Sequence, residues 1–367
     1  MSSYTVAIIG TGPDPNNPTT DGFAMGYRHA EAYRNNDHCQ LVASADIVPE
    51  NREAFAAEFD LGDASYEEYE TMIGEIEPDI VSVTVPPAVH EEIVVGCARS
   101  GVVDAIHSEK PMAHTLASAE RMVQQCWRRD VQLTFNRQRR FGRPFREAKR
   151  LLDEGAIGDL QRIEIGWGDF YDTGAHTIDL AGMFNDERSA EWVLAGLDYR
   201  DEDVRFGAHQ ENQMVAQWRY DNGVFGHFAS GAGSDFIDSA ILLRGKSGTI
   251  RINGENEMLE LERNGTREEI DVDGETMHLT SKEEDGRFGS QFNDRAINDV
   301  VDALQTEREP ELSGRNGLNT AEILFAGYES VRQSARIDLP LAIDDNPLEA
   351  MVESGTLSPA PDAEFDV

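Results

Sequence analysis

The chain has 367 residues, of which 69 are acidic and 32 are basic, so that its formal net charge is −37. This charge excludes a general nucleic-acid-binding surface, because phosphate contacts need the opposite sign, and it argues against anionic membranes. A hydrophobic content of 40% and this length predict two folded domains rather than a disordered acidic chain. We interpret the charge as a halophilic-type acidic surface, since a Debye length of about 3 Å at 1 M salt screens self-repulsion.

The three cysteines, Cys39, Cys97 and Cys126, are scattered and lack metal-binding spacing. They predict neither a disulfide framework nor a metal site, and they favour a reducing cytoplasm. The first apolar strand begins close to Met1, which leaves no room for a signal peptide. No apolar run has the length of a membrane span. We therefore expect a cytoplasmic protein without metal.

The chain opens with a β-branched strand, Tyr4–Ile9, as is typical of a parallel strand buried on both faces. Gly10 and Gly12 follow it directly, and a turn-rich insertion at residues 13–22 separates them from Gly26 near the first helix. The pattern is an interrupted G-x-G-x-x-G turn, in which glycines let the backbone approach a pyrophosphate at a helix N-terminus. An ordinary glycine turn is the alternative.

Asp46 ends the second apolar strand, where an acid accepts hydrogen bonds from the adenosine ribose and repels a 2′-phosphate. It favours NAD, although NADP stays possible because Arg52 could turn toward the same place. Strands and helices then alternate up to residue 135. This alternation predicts a Rossmann domain with a doubly wound parallel sheet over residues 1–135.

One of these strands ends in the sequence Glu109-Lys110-Pro111. Pro111 disfavours helical geometry at Lys110. The lysine is therefore expected at the carboxyl end of a parallel strand, where ligands bind in open α/β sheets. On spacing alone, a solvated lysine in a turn is the alternative.

A basic cluster follows the last strand of the first domain and includes Asn136, Arg137 and Arg139. The strand that precedes it ends where the chain leaves the sheet, so Asn136 and Arg137 are placed to reach the ligand cleft. Arg137 and Arg139 either bind a carboxylate or phosphate of the substrate or lie at a solvated helix start. Both interpretations remain open.

A second candidate segment contains Asp172, His176 and Asp179, which lie on one face if the segment is helical. A histidine between two acids, just after a strand expected at residues 160–171, is a candidate general base. A buried structural histidine is the alternative.

Residues 136–350 carry several alternating strands with turns at 221–223, 253–254 and 264–265. They predict an α+β domain with a large, mostly antiparallel open sheet. Long helices are expected at 288–306 and 318–335. Residues 351–367 are acidic and are predicted to form a disordered tail.

The motifs and their order resemble the glucose-fructose oxidoreductase / inositol dehydrogenase family (Gfo/Idh/MocA) of NAD(P)-dependent oxidoreductases. The resemblance is carried by Gly10-Thr11-Gly12, Asp46, Val83-Thr84-Val85-Pro86 with His90, Glu109-Lys110-Pro111, the D-x-G-x-H-x-x-D segment at 172–179, the turn at 155–158 and the region 317–340. The insertion at 13–22 and Pro87 depart from the family pattern.

The resemblance implies two groups of site residues. The cofactor-binding group contains Gly10, Gly12, Gly26, Asp46, Thr84, Pro86, His90, Glu109 and Lys110. The substrate-binding group contains Asn136, Arg137, Asp172 and His176. It also implies a homodimer or homotetramer formed through the open sheet of the second domain.

The reaction that the resemblance implies is hydride transfer between a secondary alcohol of a sugar, cyclitol or related polyol and nicotinamide. His176 would accept the hydroxyl proton, Lys110 would stabilise the developing negative charge, and Asp172 would orient the substrate or His176. This mechanism requires the ammonium and the imidazole to reach the same carbon.

Three rivals remain at this point. One is an enzyme with tightly held NADP that is reduced and oxidised in turn, which Asp46 disfavours. Another is a non-catalytic nicotinamide-binding regulator, which has no need of a proton acceptor. The third is an NAD-assisted lyase or hydrolase acting on glycosides. The sugar itself is not predicted, because the expected pocket strands carry no motif.

Overall fold

The structure is a computed structural model that describes residues 3–16, 24–254, 257–277 and 291–360. Within these ranges the α-helices are α1 (Met25–Arg34), α2 (Pro49–Glu58), α3 (Tyr69–Ile76), α4 (His90–Ser100), α5 (Leu116–Trp127), α6 (Arg143–Asp153), α7 (Gly174–Phe184), α8 (Gln291–Thr306), α9 (Gly314–Gln333) and α10 (Pro347–Glu353). The strands are β1 (Tyr4–Ile9), β2 (Cys39–Ala45), β3 (Ser65–Tyr66), β4 (Ile80–Val83), β5 (Ala105–Ser108), β6 (Gln132–Phe135), β7 (Leu160–Ile165), β8 (Ala190–Asp198), β9 (Val204–Arg205), β10 (Ala208–His209), β11 (Gln213–Tyr220), β12 (Phe225–Ala229), β13 (Ser239–Gly245), β14 (Gly248–Gly254), β15 (Leu259–Arg263), β16 (Thr266–Glu269) and β17 (Ile337–Asp338).

The first compact unit is built on a six-stranded parallel sheet in the order β3-β2-β1-β4-β5-β6. The apolar residues of β1 are fully buried, which explains why this strand reads as a continuous hydrophobic run. The predicted Rossmann fold is confirmed. In an open parallel sheet, ligands bind beyond the carboxyl ends of the strands. Here that edge is formed by the ends of β1, β4 and β5.

The two units divide the chain differently from the expected domains. The first unit takes residues 1–113, 118–138 and 278–317, and the second takes 114–117, 139–277 and 318–367. Helix α8 was expected in the second domain but belongs to the first unit, where Ile297 and Val301 join the buried cluster that contains Tyr33 and Val6. An amphipathic pattern shows that a helix has an apolar face, but not which sheet that face covers.

The second unit is built on a nine-stranded sheet in the order β16-β15-β14-β13-β7-β12-β11-β8-β17. Among the described strands, every neighbouring pair is antiparallel except β7 and β12, which are parallel. The predicted large, mostly antiparallel sheet is confirmed. The strand expected at 160–171 is shorter, because β7 ends at Ile165 and Gly168 then adopts a φ of +79°, which strands exclude.

The C-terminal segment is ordered further than expected. Pro347 and the capping Asn346 start α10, and the Asn346 side chain accepts hydrogen bonds from the backbone N–H groups of Leu348 and Glu349. Ala360 then pairs with Asp201 in an isolated β-bridge. A disordered tail therefore does not begin at residue 351, and residues 361–367 lie outside the described part of the chain.

Two further observations concern the described residues alone. None of their helices is long and apolar enough to cross a membrane, and no group of three or more His, Cys, Asp or Glu residues among them is arranged to hold a metal. Of the insertion at 13–22, the structure describes 13–16 and leaves 17–22 outside.

Candidate functional site

The turn between β1 and α1 depends on glycines at close approaches. Gly10 has a φ of +83°, and a Cβ there would lie 2.5 Å from Cγ1 of Val85. A Cβ on Gly26 would lie 2.7 Å from the carbonyl oxygen of Thr11. Both distances are below any real contact, so a side chain would push β1 away from β4 or from α1. The hydroxyl of Thr84 donates to the Gly10 carbonyl and holds the turn to β4.

Gly12 differs from these two glycines because none of the described residues crowds a Cβ built there. It has a φ of +70°, and the nearest atom to a Cβ built there is the Ala24 Cα at 3.6 Å. The first turn of α1 contains no acidic residue. An open backbone beside an uncompensated helix N-terminus fits the pyrophosphate of a dinucleotide. The interrupted glycine motif is therefore assembled as a dinucleotide turn despite the insertion.

Asp46 is tied into the same turn. Its Oδ2 accepts hydrogen bonds from the backbone N–H of Thr11 at 2.8 Å and of Gly12 at 3.1 Å. Oδ2 also accepts the Thr11 hydroxyl at 2.9 Å, and Oδ1 accepts the N–H of Val48 at 2.9 Å. An ionised carboxylate has about four acceptor positions. Three of these four donors share Oδ2 and only one binds Oδ1. A ribose hydroxyl can therefore donate to the second acceptor position of Oδ1. Arg52 donates to the Asp46 carbonyl oxygen, 2.8 Å away.

The backbone of Lys110 is anchored by a buried network at the end of β5. Glu109 is only 5% exposed, and its Oε2 accepts the N–H of Lys110 at 3.0 Å. Its Oε1 accepts the Asn136 amide at 2.8 Å and contacts Nε2 of His29 at 2.9 Å. Burial would raise the pKa of Glu109, but the hydrogen bond and charge of His29, with the charge of Lys110, outweigh it and lower the pKa to about 2. Glu109 is thus an ionised anchor.

His90 holds the other side of the same segment. It is fully buried, with Nε2 2.8 Å from the Val85 carbonyl oxygen and Nδ1 3.1 Å from that of Met112. Burial lowers its pKa, and these carbonyl contacts oppose that shift. Pro86 precedes a 3₁₀ turn at Pro87–Val89, whose last N–H bonds back to the Pro86 carbonyl. His90 therefore joins the segment after β4, at Val85, to the segment after β5, at Met112, from a buried position.

Asn136 and Arg137, expected to bind substrate, both have internal partners. The Asn136 amide belongs to the Glu109 network. The Arg137 side chain is buried and donates from Nη2 to the carbonyl oxygen of Ser313, 3.0 Å away, just before α9. In the first unit, Asn136 thus joins the end of β6 to the end of β5, and Arg137 joins it to the start of α9.

In the second unit, Asp169 builds the turn that carries Asp172 and His176. Its Oδ1 accepts the N–H of Asp172 at 2.6 Å and of Thr173 at 3.0 Å, and its Oδ2 accepts the Thr173 hydroxyl at 2.9 Å. Helix α7 begins only at Gly174, so Asp172 lies before the helix and His176 lies in its first turn. Sequence reasoning missed Asp169, which three local donors single out.

Asp179, the last acid of the same motif, forms a buried ion pair with Arg140. Its carboxylate is buried and receives two hydrogen bonds from Arg140, whose other side pairs with Glu187. Burial would lower the pKa of Arg140, but the two carboxylates raise it overall. The last acid of the motif therefore has a buried ion-pair partner that the sequence pattern did not reveal.

Glu211 was also missed, and no local pattern marks it. Its Oε1 accepts the N–H of Phe170 at 2.7 Å, and its Oε2 accepts the hydroxyl of Tyr328 at 2.7 Å. Burial raises the pKa of Glu211 to about 7, against the opposing effect of these hydrogen bonds. Glu211 joins the turn before α7 to α9, two segments far apart in the chain.

A parallel doubly wound sheet, a glycine turn after its first strand and a buried acid after its second define a dinucleotide-binding protein. The chain matches the family described as "Oxidoreductase family, NAD-binding Rossmann fold" over residues 5–137, and its "C-terminal alpha/beta domain" over residues 150–339. It therefore belongs to the Gfo/Idh/MocA family and is an NAD(P)-dependent oxidoreductase.

Known proteins of the family resemble the chain at low identity. D-apiose dehydrogenase of Paraburkholderia graminis is 24% identical, over 90% of this chain and 91% of that protein. Myo-inositol 2-dehydrogenase of Thermotoga maritima is 26% identical, but the match spans 55% of this chain and 64% of that protein. An oxidoreductase from Agrobacterium radiobacter, crystallised with NAD+, L-tartaric acid and magnesium, is 20% identical with a TM-score of 0.74, and the match covers 92% of this chain and 98% of that one. The last comparison supports the fold.

Proposed function

We propose that this protein transfers hydride reversibly between a secondary alcohol of a sugar, cyclitol or related polyol and the nicotinamide of NAD. The observation that carries the proposal is the anchoring of Lys110. Its backbone N–H is bound by Glu109, which is itself held by the buried side chains of His29 on α1 and Asn136 just after β6. A solvated lysine in a turn needs no such buried support, whereas a lysine that must point at a ligand does.

Each chain residue has a defined role in this proposal. The cofactor, when bound, supplies hydride acceptance and donation at its nicotinamide ring. Lys110 donates a hydrogen bond to the substrate oxygen and stabilises its developing negative charge. His176 accepts the proton of the same hydroxyl group, and Asp172 orients the substrate or His176. Asp46 favours NAD, since a 2′-phosphate would meet a carboxylate.

The test is a screen for substrate-dependent NADH formation at about 2 M KCl, with pentoses, hexoses and inositols and with both NAD and NADP. Turnover with a sugar or cyclitol supports the proposal. Cofactor binding without turnover across the panel favours a regulator. Bond cleavage without net NADH identifies lyase or hydrolase chemistry, and reduced nicotinamide in the purified protein identifies a tightly held cofactor. The first two of these results contradict the proposal, and the third contradicts the use of NAD as an exchangeable cosubstrate.

We also infer that the acidic surface is an adaptation to concentrated salt, based on the net charge of −37. The melting temperature is expected to be higher in about 2 M than in about 0.1 M KCl, by about 5 °C or more, because salt screens repulsion within the folded chain. A non-ionic osmolyte at the same osmolality serves as the control for general preferential exclusion. Equal melting temperatures at the two salt concentrations would contradict the inference.

The open face of the second sheet supports a homodimer or homotetramer, which we propose as the assembly. Leu194 on β8 and Val215 on β11 are 45% and 44% exposed. They are diagonal neighbours on one face, because Leu194 pairs with Gln217. Leu194→Asp is expected to convert the oligomer to a monomer, as measured by light scattering after size-exclusion chromatography. Val204→Asp, at 48% exposure on β9, is the matched control. A monomeric parent protein would refute the assembly.

A further inference from the structure

Arg139 differs from Arg137 and Arg140 in that its side chain contacts an aromatic ring. It lies in the 3₁₀ turn Gln138–Phe141, and its guanidinium carbon is 4.1 Å from the ring centroid of Trp167, just after β7. A cation–π contact of this kind restrains a guanidinium against the ring without using its N–H groups. The arginine is therefore positioned by an aromatic surface and not by a hydrogen bond.

The Arg139 side chain has no hydrogen-bond or ion-pair partner among the residues that the structure describes. Its Nη1 is inaccessible to solvent and unbonded. Arg140, the next residue, pairs with Asp179 and Glu187, and Arg137 donates to the Ser313 carbonyl. A buried charged donor without a partner is costly and calls for a specific explanation.

The nearest acids do not supply that partner. Asp169 and Asp172 are close enough to favour the charged form of Arg139. However, the Asp169 carboxylate already accepts three hydrogen bonds from the turn before α7. Burial is the larger effect and lowers the pKa of Arg139 to about 10, so the guanidinium stays cationic at neutral pH. The result is an oriented, partly desolvated cation beside the segment that carries Asp172 and His176.

We propose that Arg139 binds a carboxylate of the substrate, so that the preferred substrate is a sugar acid or a related polyhydroxy acid. This inference rests on the proposed function and narrows it. A carboxylate matches the planar fork of a guanidinium and replaces the water lost on burial. In a chain with a net charge of −37, an anionic substrate is otherwise repelled. A fixed cation at the site provides the local attraction that such a substrate needs.

The first experiment compares matched neutral and acidic substrates, D-glucose with D-glucuronate and D-galactose with D-galacturonate, by kcat/KM at about 2 M KCl. The acids are expected to exceed the neutral sugars by about 100-fold or more. The corresponding sugar phosphates distinguish a carboxylate site from a phosphate site. Equal kcat/KM for acid and neutral sugar, or a preference for the phosphates, overturns the proposal while leaving the dehydrogenase function intact.

The second experiment uses Arg139→Met and Arg139→Lys. Arg139→Met is expected to lower kcat/KM for the acid by about 100-fold, mainly through KM, and to change that for the neutral sugar by less than about 3-fold. For Arg139→Lys, kcat/KM for the acid is expected to lie between the values of the parent enzyme and Arg139→Met, because an ammonium cannot form the two parallel hydrogen bonds. Arg143→Met, at a half-exposed arginine paired with Asp273, is the matched control. Equal losses on both substrates indicate a structural role and overturn the proposal.

A binding measurement keeps the inference testable if none of these sugars is turned over. D-glucuronate or D-galacturonate is expected to raise the melting temperature of the parent protein, because a ligand that binds only the folded state stabilises it. D-glucose and D-galactose are expected to leave it unchanged, and Arg139→Met is expected to abolish the shift while the variant itself melts near the parent temperature. No shift with either acid, or the same shift in Arg139→Met, refutes carboxylate binding at this arginine.

Discussion

Replacement of Lys110 by alanine is expected to lower kcat by about 100- to 10,000-fold with almost no change in the dissociation constant for NAD. The ammonium is proposed to act on the charge that develops during the reaction, so its loss affects the transition state more than binding. The backbone around it should survive, because Glu109 binds the N–H of residue 110 and not its side chain. Steady-state kinetics and titration with NAD measure the two effects separately.

Two further variants sharpen this test. Lys110→Arg keeps the positive charge but displaces it, and it is expected to retain more activity than alanine while staying well below the parent enzyme. Lys246→Ala, at an exposed lysine paired with Asp159 in the second unit, should have normal kinetics. If Lys110→Ala keeps more than about half of the parent kcat, the lysine is not part of the catalytic machinery.

Replacement of His176 by glutamine is expected to lower kcat by a similar factor, about 100- to 10,000-fold, and to remove one limb of the pH–rate profile of alcohol oxidation. The histidine is 4% exposed and lies in the first turn of α7, so a proton that it accepts is shielded from bulk water. Glutamine fills similar space and preserves hydrogen bonding, but it cannot take up a proton.

The controls for His176 address folding and specificity. The melting temperature of His176→Gln should stay within a few degrees of the parent, and NAD affinity should be unchanged, because the Rossmann unit folds around its own core. His38→Ala, at an exposed histidine before β2, is expected to leave kinetics unaffected. A His176→Gln variant with the full pH profile and normal kcat would remove the proposed proton acceptor.

The Rossmann half was predictable because its signals are local. A parallel strand buried on both faces must be apolar throughout, and β1 shows this in sequence before any partner is known. The glycine pattern after β1 is also visible in the sequence, although the close approaches that require it, such as that of Val85 to Gly10, form only in the folded chain. The expectation of a non-helical Lys110 likewise rests on the proline next to it.

The features that sequence reasoning did not reveal depend on residues far apart in the chain. Asp179 reads as a site acid beside His176, yet its partner Arg140 lies 39 positions away. Helix α8 shows an apolar face in sequence, but the cluster that it covers contains Tyr33 and Val6. Glu211 gains its raised pKa from burial between Phe170 and Tyr328, and no sequence pattern reports burial of a single carboxylate.

The α/β and α+β architecture, the dinucleotide turn, and the motifs that carry Lys110 and His176 could be predicted from the order of residues. The interactions of each polar side chain could be found only in the folded chain. There Glu109 and His90 are internal anchors, Arg140 belongs to a buried ion pair, and the Arg139 side chain has no hydrogen-bond partner among the described residues. This difference arises because backbone preference and hydrophobic periodicity depend on residues that are close together in the sequence. The partner and the desolvation of a charged group are set by segments that meet only in the folded chain.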